Sequence, residues 1–152
     1  MKVRKISDLV DWTRLMHHLL AEHLAANTDQ NKDELARMLL GYVADHEAAL
    51  AKIIEGFEAR ADPKALNTWV YDYLEHRKVD LARLSEQPFS EMTFDEVCGS
   101  VFDAHNQAIE LYRDLLGRAD IPEAQDLIQA LLAIEEHETM RLAQQINRSR
   151  AN

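Results

Sequence analysis

Titratable residues interrupt the apolar stripes of four of the five helices that this sequence predicts. They are His17 (or His23), His46, His105 and Glu138, the last with Glu135 one turn away. Burying a histidine or a carboxylate costs free energy unless a partner compensates it. One such residue on each of four helices is the pattern of a metal site inside a helical bundle. Scattered core histidines would give the same pattern, so the sequence leaves both interpretations open.

Composition limits the kinds of partner that the chain can have. The 152 residues favour a single helical-bundle domain, 1–152, which is long enough to bury a core without disulfides. With 17 basic and 27 acidic residues, the formal net charge is −10. Nucleic acid and anionic membrane surfaces repel such a chain. The single Cys98 excludes an intrachain disulfide and a multi-thiolate zinc site. Because neither a signal-peptide region nor a membrane-length apolar run is visible, we predict a cytoplasmic protein.

Helix-stop and capping residues divide the chain into five predicted helices. No segment shows sustained two-residue alternation, so the predicted fold class is all-α. The helices are expected at about 6–26, 32–60, 64–85, 93–116 and 121–148. Ser7 is the expected N-cap of the first helix, and Thr93 with Glu96 resembles a capping box. Gly117 fits a C-terminal stop.

The third predicted helix determines the expected topology. At 1.5 Å per residue the second helix is roughly 42 Å long, and a following helix of about 20 residues would carry the chain about 30 Å back. The fourth helix would then start from the same end as the second, which gives two antiparallel hairpins joined by a long crossover. A faint repeat that aligns His46 with Glu138 agrees with this arrangement. A plain five-helix up-down array is the alternative.

Helical-wheel positions separate inward from outward polar groups. On the second helix we expect an inward apolar stripe of Leu35, Leu39, Tyr42, Val43, Leu50, Ile53 and Phe57, with His46 near its centre. In the last helix Glu135 and Glu138 share a face, whereas Glu136 and His137 point elsewhere. Three further acids fall at the edges of their stripes and are expected to be solvated. They are Glu22, Glu47 and Glu110.

The inward groups are ligand types that suit a transition metal. Imidazole and carboxylate bind iron, manganese and zinc. The predicted metal ligands are His17, His46, His105, Glu135 and Glu138. A bound divalent cation would also offset the cost of burying Glu138, which otherwise needs a partner or a raised pKa.

Two segments resemble the ferritin-like superfamily, and its rubrerythrin-like branch in particular. They are Ala44-Asp45-His46-Glu47-Ala48-Ala49-Leu50 and Ile134-Glu135-Glu136-His137-Glu138. The resemblance covers about residues 6–60 and 93–148. It implies a four-helix bundle that holds a non-haem di-iron or related centre, in a family whose members oxidise ferrous iron, reduce peroxide or act as oxygenases.

The ligand set departs from the pattern of that family. The family has one Glu on the first helix of each hairpin and Glu-x-x-His on the second. Here Glu135-x-x-Glu138 replaces one Glu-x-x-His motif, and Val43 stands at the Glu position before His46. Histidines His17 and His105 take the inward places of the first-helix glutamates. A single metal is therefore as compatible with the sequence as a di-iron centre.

The sequence supports two classes of function. The first is a metal-binding ferritin-like protein, which could be a non-haem iron oxidoreductase or a metal-handling protein, with iron, manganese or zinc as the cofactor. The second is a metal-free bundle that serves as an oligomeric or partner-binding scaffold, where Trp69 and Tyr73 would cover the bundle or a partner subunit. A homo-oligomer, a dimer in the simplest case, is expected. A hemerythrin-like carrier has only His18-x3-Glu22 in its favour.

Overall fold

Four long helices dominate the structure, a computed structural model that describes residues 4–70 and 86–151. They are α1 (Ile6–Thr28), α2 (Glu34–Arg60), α4 (Phe94–Leu116) and α5 (Pro122–Ala151). A short helix α3 (Pro63–Leu66) follows α2, and a 3-10 turn (Phe89–Glu91) precedes α4. The described residues form no β-strand, so the all-α prediction is confirmed. None of their helices combines the length and the apolar character that a membrane span requires.

Capping residues mark the ends of the helices, and all but one of the predicted caps are found. Thr93 and Glu96 form the predicted capping box at the start of α4, and Gly117 caps its end. The prediction of Ser7 as the first N-cap is wrong, because Lys5 occupies that position. The Asp8 carboxylate accepts hydrogen bonds from the backbone N–H groups of Arg4 and Lys5, which lets the helix begin at Ile6.

The predicted helix over 64–85 is wrong where the structure describes that segment. Helix α3 ends at Leu66, and the chain then pairs with the residues that precede α1. The N–H of Ile6 donates to the carbonyl of Thr68 at 2.9 Å, and the N–H of Val70 donates to the carbonyl of Arg4 at 2.7 Å. Asn67, Thr68, Trp69 and Val70 are weak helix formers, so these backbone hydrogen bonds replace a helix at little cost. Residues 71–85, with Tyr73, lie outside the described residues.

Two apolar clusters fix the direction of each long helix. The first cluster joins the N-terminal halves of α1 and α5 to the C-terminal halves of α2 and α4, with Leu9, Ile54, Leu115 and Ile128 among its members. The second cluster joins the opposite halves, with Leu24, Leu40, Val97 and Ile146 among its members. Helices α1 and α5 therefore run parallel to each other and antiparallel to α2 and α4.

The N-termini of α2 and α4 lie side by side, as two antiparallel hairpins require. Asn31 precedes α2 and is buried. Its side-chain amide donates to the carbonyls of Phe89 and Met92, both at 2.8 Å, just before α4. The α1–α2 turn is therefore tied to the start of the second hairpin.

The inward face of α2 is shifted by one position from the predicted stripe. Its buried residues are Ala36, Leu39, Leu40, Val43, Ala44, Glu47, Leu50, Ala51 and Ile54. Three residues of the predicted stripe, Leu35, Tyr42 and Ile53, are instead 40%, 37% and 47% exposed. Alanines occupy three of the inward positions, so the buried face is less hydrophobic in composition than the face beside it. This shift moves His46 to the edge of the buried face and Glu47 to its centre.

Candidate metal centre

A polar layer separates the two apolar clusters halfway along the bundle. Each long helix contributes one titratable side chain to it, and none of the four is more than 1% exposed. They are His17, Glu47, His105 and Glu135. On α1, for example, His17 follows Met16 of the first cluster and lies one turn before Leu20 of the second.

The two imidazoles and two carboxylates alternate around a closed ring. His17 Nδ1 lies 2.5 Å from Glu47 Oε2, and His17 Nε2 lies 2.5 Å from Glu135 Oε1. On the other side, His105 Nε2 bonds to Glu47 Oε1, and His105 Nδ1 lies 3.3 Å from Glu135 Oε2. Each carboxylate therefore bridges both histidines, whose ring centroids are 5.1 Å apart.

The ring shifts the pKa of every member toward its charged form. Burial alone would lower the pKa of the histidines, but the two carboxylates outweigh it and raise the pKa of His17 to about 9 and that of His105 to about 10. Burial alone would raise the pKa of the glutamates, but the two histidines lower the pKa of Glu135 to about 2 and hold that of Glu47 well below its usual range. At neutral pH the metal-free ring thus holds two imidazolium cations and two carboxylates, with no net charge.

A second buried polar pair lies between α1 and α4, with Thr13 one turn before His17 and Tyr112 two turns after His105. Tyr112 and Thr13 are fully buried, and their hydroxyl groups are hydrogen-bonded. Thr13 also donates to the carbonyl of Leu9 at 3.0 Å, so the Tyr112 hydroxyl must be the donor of the pair. Burial, with the nearby charge of Glu135, raises the pKa of Tyr112 well above its ordinary value.

We expect Thr13→Val to destabilise the protein more than Tyr112→Phe does. The valine leaves the buried tyrosine hydroxyl without an acceptor, which costs about 1–3 kcal/mol, whereas the phenylalanine removes the donor and leaves Thr13 bonded to Leu9, at a cost of about 0.5–1.5 kcal/mol. Urea unfolding of both variants measures the difference. The double variant should recover part of the loss of Thr13→Val, and a larger loss in Tyr112→Phe would contradict the assigned donor.

The structure divides the predicted ligands between two places. His17, His105 and Glu135 belong to the ring, whereas His46 and Glu138 form a separate pair at the edge between α2 and α5. His46 Nε2 lies 3.2 Å from Glu138 Oε2, and the two side chains are 9% and 10% exposed. Burial, the largest effect on His46, lowers its pKa.

The alternative histidines point away from the ring. His23, the alternative to His17, donates from Nε2 to the carbonyl of Gln87 at 2.6 Å. His18 and Glu22, which carried the hemerythrin-like alternative, form an exposed pair on α1 with 3.0 Å between His18 Nε2 and Glu22 Oε1. Glu110, Glu136 and His137 are exposed, as predicted.

The prediction that Glu47 is solvated is wrong. Its side chain is fully buried between both ring histidines. The sequence signal that could have found it is a 4-3-4-3-4 spacing of buried positions, formed by Ala36, Leu40, Val43, Glu47, Leu50 and Ile54. Two buried histidines also need buried anionic partners. Glu47 is the acid of α2 that falls in this series of buried positions.

Three ring residues can supply ligand atoms to one metal ion. One atom each from His17, Glu47 and His105 lie within 4.8 Å of one another. The nitrogens that face Glu47 are His17 Nδ1 and His105 Nε2, and the opposite nitrogens face Glu135. Within the ring, Glu135 Oε2 is a buried oxygen without a well-formed hydrogen bond.

Comparisons of this chain with protein-family models, curated proteins and solved structures find no match.

Proposed function

We propose that the chain binds one divalent transition-metal ion in the core of its bundle through His17, Glu47 and His105. The observation that carries the proposal is the convergence of these three buried side chains, one from each of three helices, with ligand atoms within 4.8 Å. Two imidazoles and a carboxylate are typical ligands of iron, manganese and zinc. Three protein ligands would also leave a coordination position for water or another small ligand.

Glu135 is proposed as a positioning residue rather than a ligand. Histidines that bind metals usually donate their other ring N–H to a carboxylate or carbonyl, which fixes the tautomer. His17 Nε2 and His105 Nδ1 face the two oxygens of Glu135, at 2.5 Å and 3.3 Å. That contact would leave the lone pairs on His17 Nδ1 and His105 Nε2, the nitrogens beside Glu47. This role modifies the sequence-based prediction that Glu135 binds the metal.

Charge balance is consistent with a divalent cation that replaces one proton on each of His17 and His105. A divalent ion, two carboxylates and two neutral imidazoles have no net charge, and the metal-free ring with two imidazolium groups has none either. Bonds of about 2.0–2.2 Å in a tetrahedral site separate ligand atoms by about 3.4 Å. The 2.5 Å contact between His17 and Glu47 would therefore have to widen by about 1 Å on binding.

The ferritin-like assignment forms part of the proposal, with one metal in place of two. The two-hairpin arrangement supports it, together with the ring to which each of the four long helices contributes one buried titratable side chain. The ring offers two carboxylates, and Val43 lies at a position where the family pattern has Glu. With iron bound, two histidines and one carboxylate leave open positions, which non-haem iron redox chemistry requires. With zinc, which has no redox chemistry, a metal-handling role is favoured.

The alternative is a metal-free bundle that acts as an oligomeric or partner-binding scaffold. It is favoured by the ring nitrogens, all of which face carboxylates, so the ring meets much of its own hydrogen-bonding need. Exposed apolar side chains on α2 also favour it. They are Leu35, Met38, Tyr42 and Ile53.

Elemental analysis and titration of the metal-stripped protein decide between these functions. We expect the wild type to bind about one equivalent of Co²⁺, Zn²⁺ or Fe²⁺, and Glu47→Gln and His105→Gln to lose that binding while remaining helical by circular dichroism. Glu110→Gln is the matched control, since Glu110 is exposed on the same helix as His105. A wild type that binds none of these ions would leave the scaffold as the better account.

A further inference from the structure

The seam between α2 and α5 contains a polar pair that the ring does not use. His46 and Glu138 face each other across it, with 3.2 Å between His46 Nε2 and Glu138 Oε2. Both side chains are about nine-tenths buried. Tyr42 stacks on the His46 ring, with centroids 6.1 Å apart. The pair therefore lies between the exposed side of the bundle and its core.

His46 Nε2 lies close to Glu138 Oε2 without forming a hydrogen bond with it. It is a buried nitrogen with no hydrogen-bond partner, because its contact with Glu138 lacks hydrogen-bond geometry. A buried polar atom without a partner costs free energy. An imidazole nitrogen and a carboxylate oxygen that face each other in this way can both bind a cation placed between them.

The pair lies between the ring and the solvent. His46 is the neighbour of Glu47, and Glu138 lies one turn from Glu135 on the same face of α5. The charges of Glu47 and His105 in the ring act on the His46 imidazole. On the outer side, Glu138 Oε1 lies 3.5 Å from the guanidinium of Arg141, whose side chain is 59% exposed.

We propose that His46 and Glu138 form a capture pair through which a divalent cation reaches the core site. The proposal rests on the proposed metal site at His17, Glu47 and His105. The cation first binds the Glu138 carboxylate and His46 Nε2 at the edge of the bundle, and then passes to Glu47. Arg141 opposes this step because its guanidinium is paired with the Glu138 carboxylate, which the cation must also bind. The Arg141 side chain is 59% exposed and its guanidinium lies 3.5 Å from Glu138, so the side chain can swing into solvent.

Stopped-flow mixing of the metal-stripped protein with Co²⁺ tests the route, with the metal–ligand absorption as the signal. We expect Glu138→Gln to load about tenfold or more slowly than the wild type, the scale at which local charge alters association rates. His46→Gln should also load more slowly, because it removes the imidazole nitrogen that would bind the incoming ion. Both should still reach one equivalent. Arg141→Gln should load faster. Glu136→Gln, which removes an exposed carboxylate from the same helix, should load at the wild-type rate.

The outcomes separate the loading route from the metal site itself. Equal loading rates in Glu138→Gln, His46→Gln and the wild type would overturn the capture pair and leave the core site intact. Loss of the bound equivalent in Glu138→Gln would also overturn it, because Glu138 would then be a ligand of the resident ion. A wild type that binds no Co²⁺, Zn²⁺ or Fe²⁺ would instead overturn the proposed function, and the capture pair with it.

Discussion

Glu47→Gln is expected to lower the free energy of unfolding of the metal-free protein by about 3–5 kcal/mol, the usual cost of removing one partner from a buried ion pair. The substitution keeps the shape of the side chain but leaves His17 and His105 to share the single negative charge of Glu135. Urea unfolding in the presence of a chelator measures the loss. Glu110→Gln is the matched control and should leave the unfolding midpoint unchanged, because Glu110 is exposed. A loss of less than about 1 kcal/mol in Glu47→Gln would show that the ring is not charged as described.

Removing the whole ring should have a different effect from removing one member. Replacing a complete buried ionic network by apolar residues of similar volume is often neutral or stabilising by about 1–4 kcal/mol. We therefore expect a variant with leucine at His17, Glu47, His105 and Glu135 to be at least as stable as the metal-free wild type, and to bind no metal. That result would indicate that the ring is present for binding rather than for stability.

Raising the pH above about 6.5 is expected to lower the stability of the metal-free protein but to raise its affinity for the metal ion. The pKa values of His17 and His105 are about 9 and 10 in the folded protein, above the ordinary 6.5, because Glu47 and Glu135 outweigh the effect of burial. Their stabilising contribution is complete below pH 6.5 and is lost as the pH rises through 9 to 10. The glutamates, with lowered pKa values, stabilise above about pH 4.5 and lose that contribution as the pH falls toward 2. The stability that the ring gives to the metal-free protein should therefore be greatest between about pH 4.5 and 6.5.

Metal binding should instead strengthen as the pH rises from 6 toward 9. Each histidine must lose one proton to bind the ion, so about two protons are released per ion and the apparent Kd falls up to about a hundredfold per pH unit. Calorimetric titration in two buffers of different ionisation enthalpy counts the protons. Binding without proton release would contradict the charged ring.

The sequence predicted the bundle better than the ring, for reasons that lie in particular residues. On α4, large apolar side chains such as Val101 and Tyr112 share one face with His105, so the wheel placed that histidine correctly. On α2, inward alanines next to an outward Leu35 and Tyr42 shifted the apparent stripe by one position and hid Glu47. Close helix packing favours such alanines, and a hydrophobicity pattern gives them little weight.

The hydrophobic pattern of the sequence also could not reveal contacts between distant parts of the chain. The apolar spacing of Leu66, Trp69 and Val70 indicated a helix, but the backbone of Thr68 and Val70 pairs with Ile6 and Arg4 at the start of α1. His46 and Glu138 were expected at the centres of their inward stripes, and the structure places them at the edge between α2 and α5 instead. Their separation from the ring depends on the relative rotation of α2 and α5, which periodicity within one helix does not contain.

Anomalous diffraction from crystals of the Co²⁺-loaded protein would locate the bound ion. We expect one core peak at ligand distance, about 2.0–2.2 Å, from His17 Nδ1, a Glu47 oxygen and His105 Nε2, with Glu135 outside the coordination sphere and hydrogen-bonded to both imidazoles. An anomalous map with no peak in the polar layer, or with the ion held only by surface carboxylates, would contradict the proposed metal site.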